Sequence, residues 1–505
     1  MSIQPGVPHA PPDPFGGPIP LEQIRAGSGR RFAITTSAKA LGQLLRFGTL
    51  LVLARLLAPA DFGVLAMVTS AIGIAELFRD LGLSQATVRV ATITRTQVNT
   101  LFWINVAFGA LTTGLCLLAA PHLGRLLSDP RVGAVASAMS FTFLVNALAA
   151  QHLALLRRNL RFGEIAGIGL VAAVAGSVVA LALAALGAAY WALVAAVIVT
   201  GALTAIGAWR ASGWRPSAPA YDPTVRPMIS FGGYLVGFGF LSYLAQNVHI
   251  VLIGRLFGAG AAGMYVRAST LLSQPLSYAL DPLRMIVPPT LSRLQEHPQE
   301  LREHYLSMLA PLMLAVAPFS LWLALLAQDV VRVLLGAQWH DAAGVLALLA
   351  LGAVPQVMSN TSGWLFLARG DSRGMMNWGA MGWTAVILCM LAGLPWGMNG
   401  VAAMYSLSMF LIVAPCMHYA CRGTRIRLID LWGITWRPIF GALVAAAAMA
   451  AALPLMADWR ALPRVALASA LYATVYLGLL AALPAERARL LELWARLRRP
   501  AEPAP

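Results

Sequence analysis

Apolar blocks of about 20 residues recur along this chain, the length a helix needs to cross the hydrocarbon core of a bilayer. Residues 165–187 read IAGIGLVAAVAGSVVALALAALG and residues 437–457 read RPIFGALVAAAAMAAALPLMA. Only 11% of the residues are charged, whereas a soluble domain carries about a quarter. Too few polar side chains exist to cover a globule. The pattern predicts an all-α polytopic membrane protein of fourteen spans. They fall at about 33–56, 62–81, 100–120, 132–154, 165–186, 190–209, 229–253, 261–286, 306–327, 342–367, 378–394, 398–420, 437–456 and 463–483.

The net charge of +16 invites a nucleic-acid reading, but its distribution argues against one. The two tails and every second loop hold 24 of the 36 basic residues, from Arg25, Arg30 and Arg31 to Arg498 and Arg499. The other loops hold Arg125, Arg131, Arg332 and Arg460, with Arg464 at a span end. This asymmetry is a positive-inside signal. It predicts an even number of spans, both termini in the cytoplasm and anionic lipid as a contact. The Pro- and Gly-rich start has no apolar core, so we expect a disordered cytoplasmic tail over 1–30 and no cleavable signal peptide. Residues 484–505 read as a second cytoplasmic tail. The four cysteines have no metal or disulfide spacing and read as small buried hydrophobes.

Residues 54–63, ARLLAPADFG, are echoed two hundred positions later by 254–263, GRLFGAGAAG. FRDLGL at 78–83 is similarly echoed by ALDPLR at 279–284, and LLRRNLRFG at 155–163, more weakly, by FLARGDSRG at 366–374. Six spans separate the copies, so the repeat is parallel. It predicts a six-helix lobe over 31–209, a Pro-rich cytoplasmic linker over 210–228 and a second six-helix lobe over 229–421. Two further spans, 437–483, lie outside the repeat. Parallel repeats of this kind build transporters with the substrate site between them.

Charges inside a span are costly and mark functional candidates. Lys39, Gln43 and Arg46 share one face of span one. Arg46 lies about 20 Å along the helix from the inner end, too deep for easy snorkelling. A cationic stripe of this kind suits an anion, and the arginine fork suits a phosphate; pairing with a neighbouring carboxylate is the competing reading. Arg55 and Arg255 recur at matching positions near the ends of spans one and seven, as ligands or as interface residues. Tyr243, Gln246 and Asn247 in span seven offer hydrogen bonds to a sugar or, equally, polar glue between helices. Arg267, about two turns into span eight, is a further cavity candidate. Arg79, Asp80, Asp281 and Arg284 read as a salt-bridged gate or staple. Glu76, one turn deeper, is a candidate carboxylate for proton or cation coupling.

Lys39 is the sole lysine and Ala38-Lys39-Ala40 is no Walker A loop, so no P-loop ATPase is encoded. HExxH, CxxC and GxSxG are absent, and no metal or cofactor site is expected.

The stretch LARLLAPADFGVLAMVTSAIGIAELFRDLGLSQATVR at 53–89, with YWALV at 190–194 and NGVAAMYSL at 399–407, resembles the polysaccharide transporter family. These are oligosaccharide-lipid flippases, here of the colanic-acid-exporter type, in the multidrug/oligosaccharidyl-lipid/polysaccharide exporter (MOP) superfamily. The resemblance covers most of 33–420. It implies a MATE-like fold, a bacterial inner-membrane location, no enzyme activity and a central cavity facing one side at a time. It also implies movement of an undecaprenyl-diphosphate-linked oligosaccharide from the inner to the outer leaflet, for an exopolysaccharide, capsule or O-antigen. A polar cavity would replace the water around the two phosphates. Coupling to H+ or Na+ stays open, polysaccharide polymerase and export machinery are candidate partners, and one chain enclosing a cavity suits a monomer. The alternatives are a multidrug/cation antiporter, a lipid II flippase and a non-transporting scaffold of an assembly complex.

Overall fold

In the computed structural model Phe15 and residues 28–76, 83–90, 92–219 and 222–482 are described, and all regular structure among them is helical. The helices are α1 (Ser28–Leu56), α2 (Pro59–Ile72), α3 (Leu83–Arg89), α4 (Arg95–Leu126), α5 (Pro130–Arg158), α6 (Phe162–Ala185), α7 (Tyr190–Ser212), α8 (Arg226–Arg293), α9 (Pro298–Leu325), α10 (Ala327–Leu334), α11 (Ala342–Leu351), α12 (Ala353–Ala368), α13 (Ser372–Gly393), α14 (Gly397–Cys421), α15 (Leu428–Ala452) and α16 (Ala461–Ala482). Local chemistry sets the starts. Thr94 and Gln97 form a reciprocal capping box at α4, with bonds of 3.0 and 3.2 Å. Pro59, Pro130 and Pro298 stand in the first turn of their helices, where no N–H is needed.

Among the described residues nine helical stretches are long and apolar enough to cross a membrane. Two of them, Ser242–Asp281 and Arg373–Cys421, are each a pair of helices joined at a non-helical glycine, Gly258 (φ 85°) and Gly397 (φ 70°). The pair α11 and α12, bent by 54°, makes one more span. The shorter or more polar α1 and α2 make two more, which brings the total to fourteen. The protein is thus an all-α polytopic membrane protein.

The chain divides into two compact units, Met1–Ala262 and Gly263–Pro505. In the first, small residues let backbones approach. A Cβ added at Gly109 in α4 would meet the Ala147 Cβ of α5 at 2.5 Å. One end of this unit is closed by a cluster of Leu83, Ile93, Val98, Leu101, Phe102, Leu155, Trp214 and Val225. Much of the linker is fastened to the start of α4. Asn99 donates to the Ala218 carbonyl and accepts from the Ser217 N–H, both at 2.9 Å. Trp103 donates to the Ser217 carbonyl, the Asp222 N–H to Thr100 Oγ1, and Gln97 to Thr224 Oγ1. Proline and polar residues suggest slack, yet buried Trp214 and Val225 anchor the segment by burial of apolar surface.

The second unit contains prolines inside α9, Pro311 and Pro318. Pro318 has no N–H to offer the Leu314 carbonyl one turn back. Tyr476 of α16 supplies a hydroxyl there at 2.8 Å, and Tyr472 donates to the Pro318 carbonyl at 3.0 Å. Trp322 donates to Ser469 at 2.9 Å. Where α11 bends into α12, Ser406 donates to the Leu348 carbonyl and Ser320 to the Ala350 carbonyl. Hydroxyls thus satisfy the acceptors the bend frees, as a helix broken at membrane depth requires. Arg302 of α9 makes a two-pronged bond to Asp430 at the start of α15, at 3.0 and 2.7 Å.

Candidate functional site

The stripe on α1 is built by helical spacing alone. Lys39 and Arg46 are exposed and Gln43 is half-buried. Arg46 directs Nε and Nη2 onto Gln43 Oε1, at 3.1 and 2.6 Å. Among the described residues neither Lys39 nor Arg46 forms an ion pair, so no described carboxylate neutralises the stripe. The helix wheel says which way it faces. Leu41, Leu44 and Val52 are large, exposed and apolar, the side a membrane helix turns to lipid. Arg46 and Lys39 lie about 200° and 220° around the helix from Leu44, on its far side. Buried Gly42, Leu53 and Leu57 share that side. The added Cβ at Gly42 would sit 3.8 Å from Leu170 of α6. The cations are therefore exposed on the protein-facing side of α1.

Tyr243 and Asn247 lie in the first half of α8, and the structure brings them onto α2. The Tyr243 hydroxyl donates to the carbonyls of Thr69 at 2.8 Å and Ser70 at 3.2 Å. These acceptors come just before α2 tightens into the 3-10 turn Gly73–Ala75. The Thr69 carbonyl also accepts the Gly73 N–H, so the phenol takes its second lone pair. Ser70 Oγ donates to Asn247 Oδ1 at 3.3 Å, and the Asn247 amide donates to the Tyr243 carbonyl at 2.9 Å. Gly73 makes room for the phenol: an added Cβ would overlap the hydroxyl and lie 3.0 Å from Cζ. Further along, Met67 packs on Gly254, whose added Cβ would overlap the sulfur. Tyr243 and Asn247 thus act as polar glue, one of the two readings open to them. Thr69, Ser70, Gly73 and Met67 were not among the candidates. The available signal was Gly254, the first letter of the repeated phrase, which aligns with fully buried Ala54.

The remaining candidates are spread out. Arg55 and Arg255 are exposed near the ends of α1 and the first half of α8, and exposed Gln246 bonds its own helix at the Ser242 carbonyl. Glu76 is half-buried just after the 3-10 turn. Arg79 and Asp80 lie outside the described residues. In the second unit Arg267 is half-buried, and exposed Asp281 and Arg284 form a loose 3.7 Å pair one turn apart. Among the described residues no group of three or more His, Cys, Asp or Glu is placed to hold a metal ion.

A model of the family of polysaccharide biosynthesis proteins matches residues 52–344. The lipopolysaccharide biosynthesis protein WzxC of Escherichia coli (strain K12) is 25% identical over 324 residues, 63% of this chain and 65% of that protein. The succinoglycan biosynthesis transport protein ExoT of Rhizobium meliloti (strain 1021) is 28% identical over 61% of this chain and 62% of its own length. The chain therefore matches less than two thirds of the length of either relative. Among solved structures, the lipid II flippase MurJ in an inward closed conformation has a TM-score of 0.68 at 13% identity, covering 89% of this chain and 98% of its own. An inward-facing multidrug resistance MATE transporter of the MOP superfamily has a TM-score of 0.58 at 13% identity, over 75% and 93%. Identity this low speaks to fold alone.

Proposed function

The chain belongs to the family of polysaccharide biosynthesis proteins matched over residues 52–344, and from that membership we propose that it is a flippase for a lipid-linked oligosaccharide. Its cargo is an undecaprenyl-diphosphate-linked repeat unit of an exopolysaccharide, capsule or O-antigen, moved from the inner to the outer leaflet of the bacterial inner membrane by alternating access. Both termini are cytoplasmic, the working unit is a monomer, and the protein is a transporter with no enzyme activity. The polymerase and export machinery of the same polysaccharide are its partners, and an H+ or Na+ gradient is the candidate driving force, with Glu76 the carboxylate to examine for coupling.

One observation carries this reading: exposed cations on the protein-facing side of α1, with Arg46 about 15 Å from the turn that ends the helix. Dehydrating a diphosphate costs tens of kcal/mol in hydrocarbon. Fixed guanidinium and ammonium donors would offset that cost at mid-membrane depth, Arg46 gripping phosphate oxygens through its fork and Lys39 acting as a point charge nearer the helix start. Gln43 holds the Arg46 fork in place. A site for drug cations would place acidic groups here instead. WzxC and ExoT carry names from lipopolysaccharide biosynthesis and succinoglycan transport, which agrees with a glycan on the cargo.

The test is a vesicle assay in which a headgroup-labelled polyprenyl-diphosphate oligosaccharide becomes accessible to a membrane-impermeant quencher. Arg46→Ala should slow flipping at least tenfold and Arg46→Lys less. Flipping by Arg46→Ala at the wild-type rate would remove the stripe from the mechanism; none by wild type, beside an active control, would favour a scaffold.

A further inference from the structure

We propose that Tyr243 and Asn247 form a latch on Thr69, Ser70 and Gly73 that must part in each transport cycle; this rests on the flippase reading for its purpose, not for its geometry. The latch joins spans two and seven. Thr69 is ten residues from Pro59, the start of α2, and Arg46 is ten residues from Leu56, the end of α1. One short turn joins these helices, so both groups lie about 15 Å from it. The contact is therefore at the depth of the arginine assigned to the diphosphate.

Its chemistry suits a contact that opens and closes. The bonds are between neutral groups: a phenol on two backbone carbonyls and a hydroxyl on an amide. Each such bond is weak net of the water it replaces, so the set holds spans two and seven together without locking them. The carbonyls of Thr69 and Ser70 border the 3-10 turn, and when the tyrosine leaves they can take water from a wet cavity. The fit is also steric. Gly73 leaves a notch that the phenol fills, with no space for even a methyl group. A bulkier residue at 73 cannot coexist with the latched tyrosine. Farther along the same seam, Gly254 against Met67 is held by packing alone, a contact that slides more readily than it tears. These hydroxyl and amide groups are thus spent on the protein itself while spans two and seven are together, and become free for a glycan only when they separate.

Two experiments test this. In full-length protein freed of its four native cysteines, Ser70→Cys with Asn247→Cys should cross-link under mild oxidation. Cross-linking should cut flipping at least tenfold, with recovery on reduction. No cross-link, or a cross-linked protein that flips at the reduced rate, overturns the latch. The second readout needs no cargo. A single Asn247→Cys in the same background should react slowly with a hydrophilic thiol reagent, and adding Gly73→Val, which displaces Tyr243, should raise that rate at least tenfold. An unchanged rate overturns the proposal even if wild type proves unable to flip, an outcome that by itself sinks only the flippase reading.

Discussion

Tyr476 gives its hydroxyl to the carbonyl of Leu314, the acceptor that Pro318 leaves without a backbone partner. The last span thus reaches the ninth at the point where its ladder is interrupted. Tyr476→Phe should bare a buried carbonyl, at about 1–3 kcal/mol, and lower the melting temperature in detergent. Pro318→Ala restores an N–H to the same carbonyl, so in that background the tyrosine substitution should cost less than half as much. Equal costs in the two backgrounds would mean that the bond does not compensate for the proline.

Asp129 caps α5 and holds Arg131 by paired bonds of 3.0 and 2.8 Å. The guanidinium, with the Arg131 backbone N–H, keeps its carboxyl below the usual aspartate range despite partial burial. A carboxylate whose folded pKa is depressed contributes stability above its unfolded value, near 4, and loses it as pH falls through the folded one. Wild type should therefore lose up to about 1 kcal/mol more than Asp129→Asn between pH 5 and pH 3, the exposed partner limiting the size. Parallel thermal-shift curves for the two proteins would refute this.

Asn99 holds both the Ser217 N–H and the Ala218 carbonyl. Asn99→Ala should loosen the segment between α7 and α8, read as at least tenfold faster amide exchange over residues 214–219. Exchange in α6 should not change, which separates local release from global unfolding.

Asn105 is fully buried, and among the described residues neither its Nδ2 nor its Oδ1 finds a hydrogen-bond partner. An amide without partners costs stability. Asn105→Leu should leave the melting temperature unchanged or raise it. A drop of several degrees would show that ordered water completes this site.

The membrane class and the helix count were legible because both follow from block length, a one-dimensional rule, and the shared helical face of Lys39, Gln43 and Arg46 follows from a spacing of four and three. The roles of Tyr243 and Asn247 were not. Periodicity places both on a face, but whether that face meets a cavity or a partner helix depends on Gly73 and Ser70, about 170 residues away in sequence. The repeated phrase likewise centres on Arg55 and Arg255, which are exposed, whereas Ala54 and Gly254 beside them are buried. Small residues carry little signal in a chain with 45 glycines. In the linker, proline and polar residues give no sign of the fastening that side chains of α4 supply.

That fastening has a mechanical result. Thr224 and Val225 are secured immediately before α8 begins at Arg226, so span seven starts from a fixed pivot with no spare cord. Tyr243 stands 17 residues on, a lever arm of about 25 Å. A tilt of about 10° at the pivot carries the phenol about 4 Å, farther than its bonds can stretch.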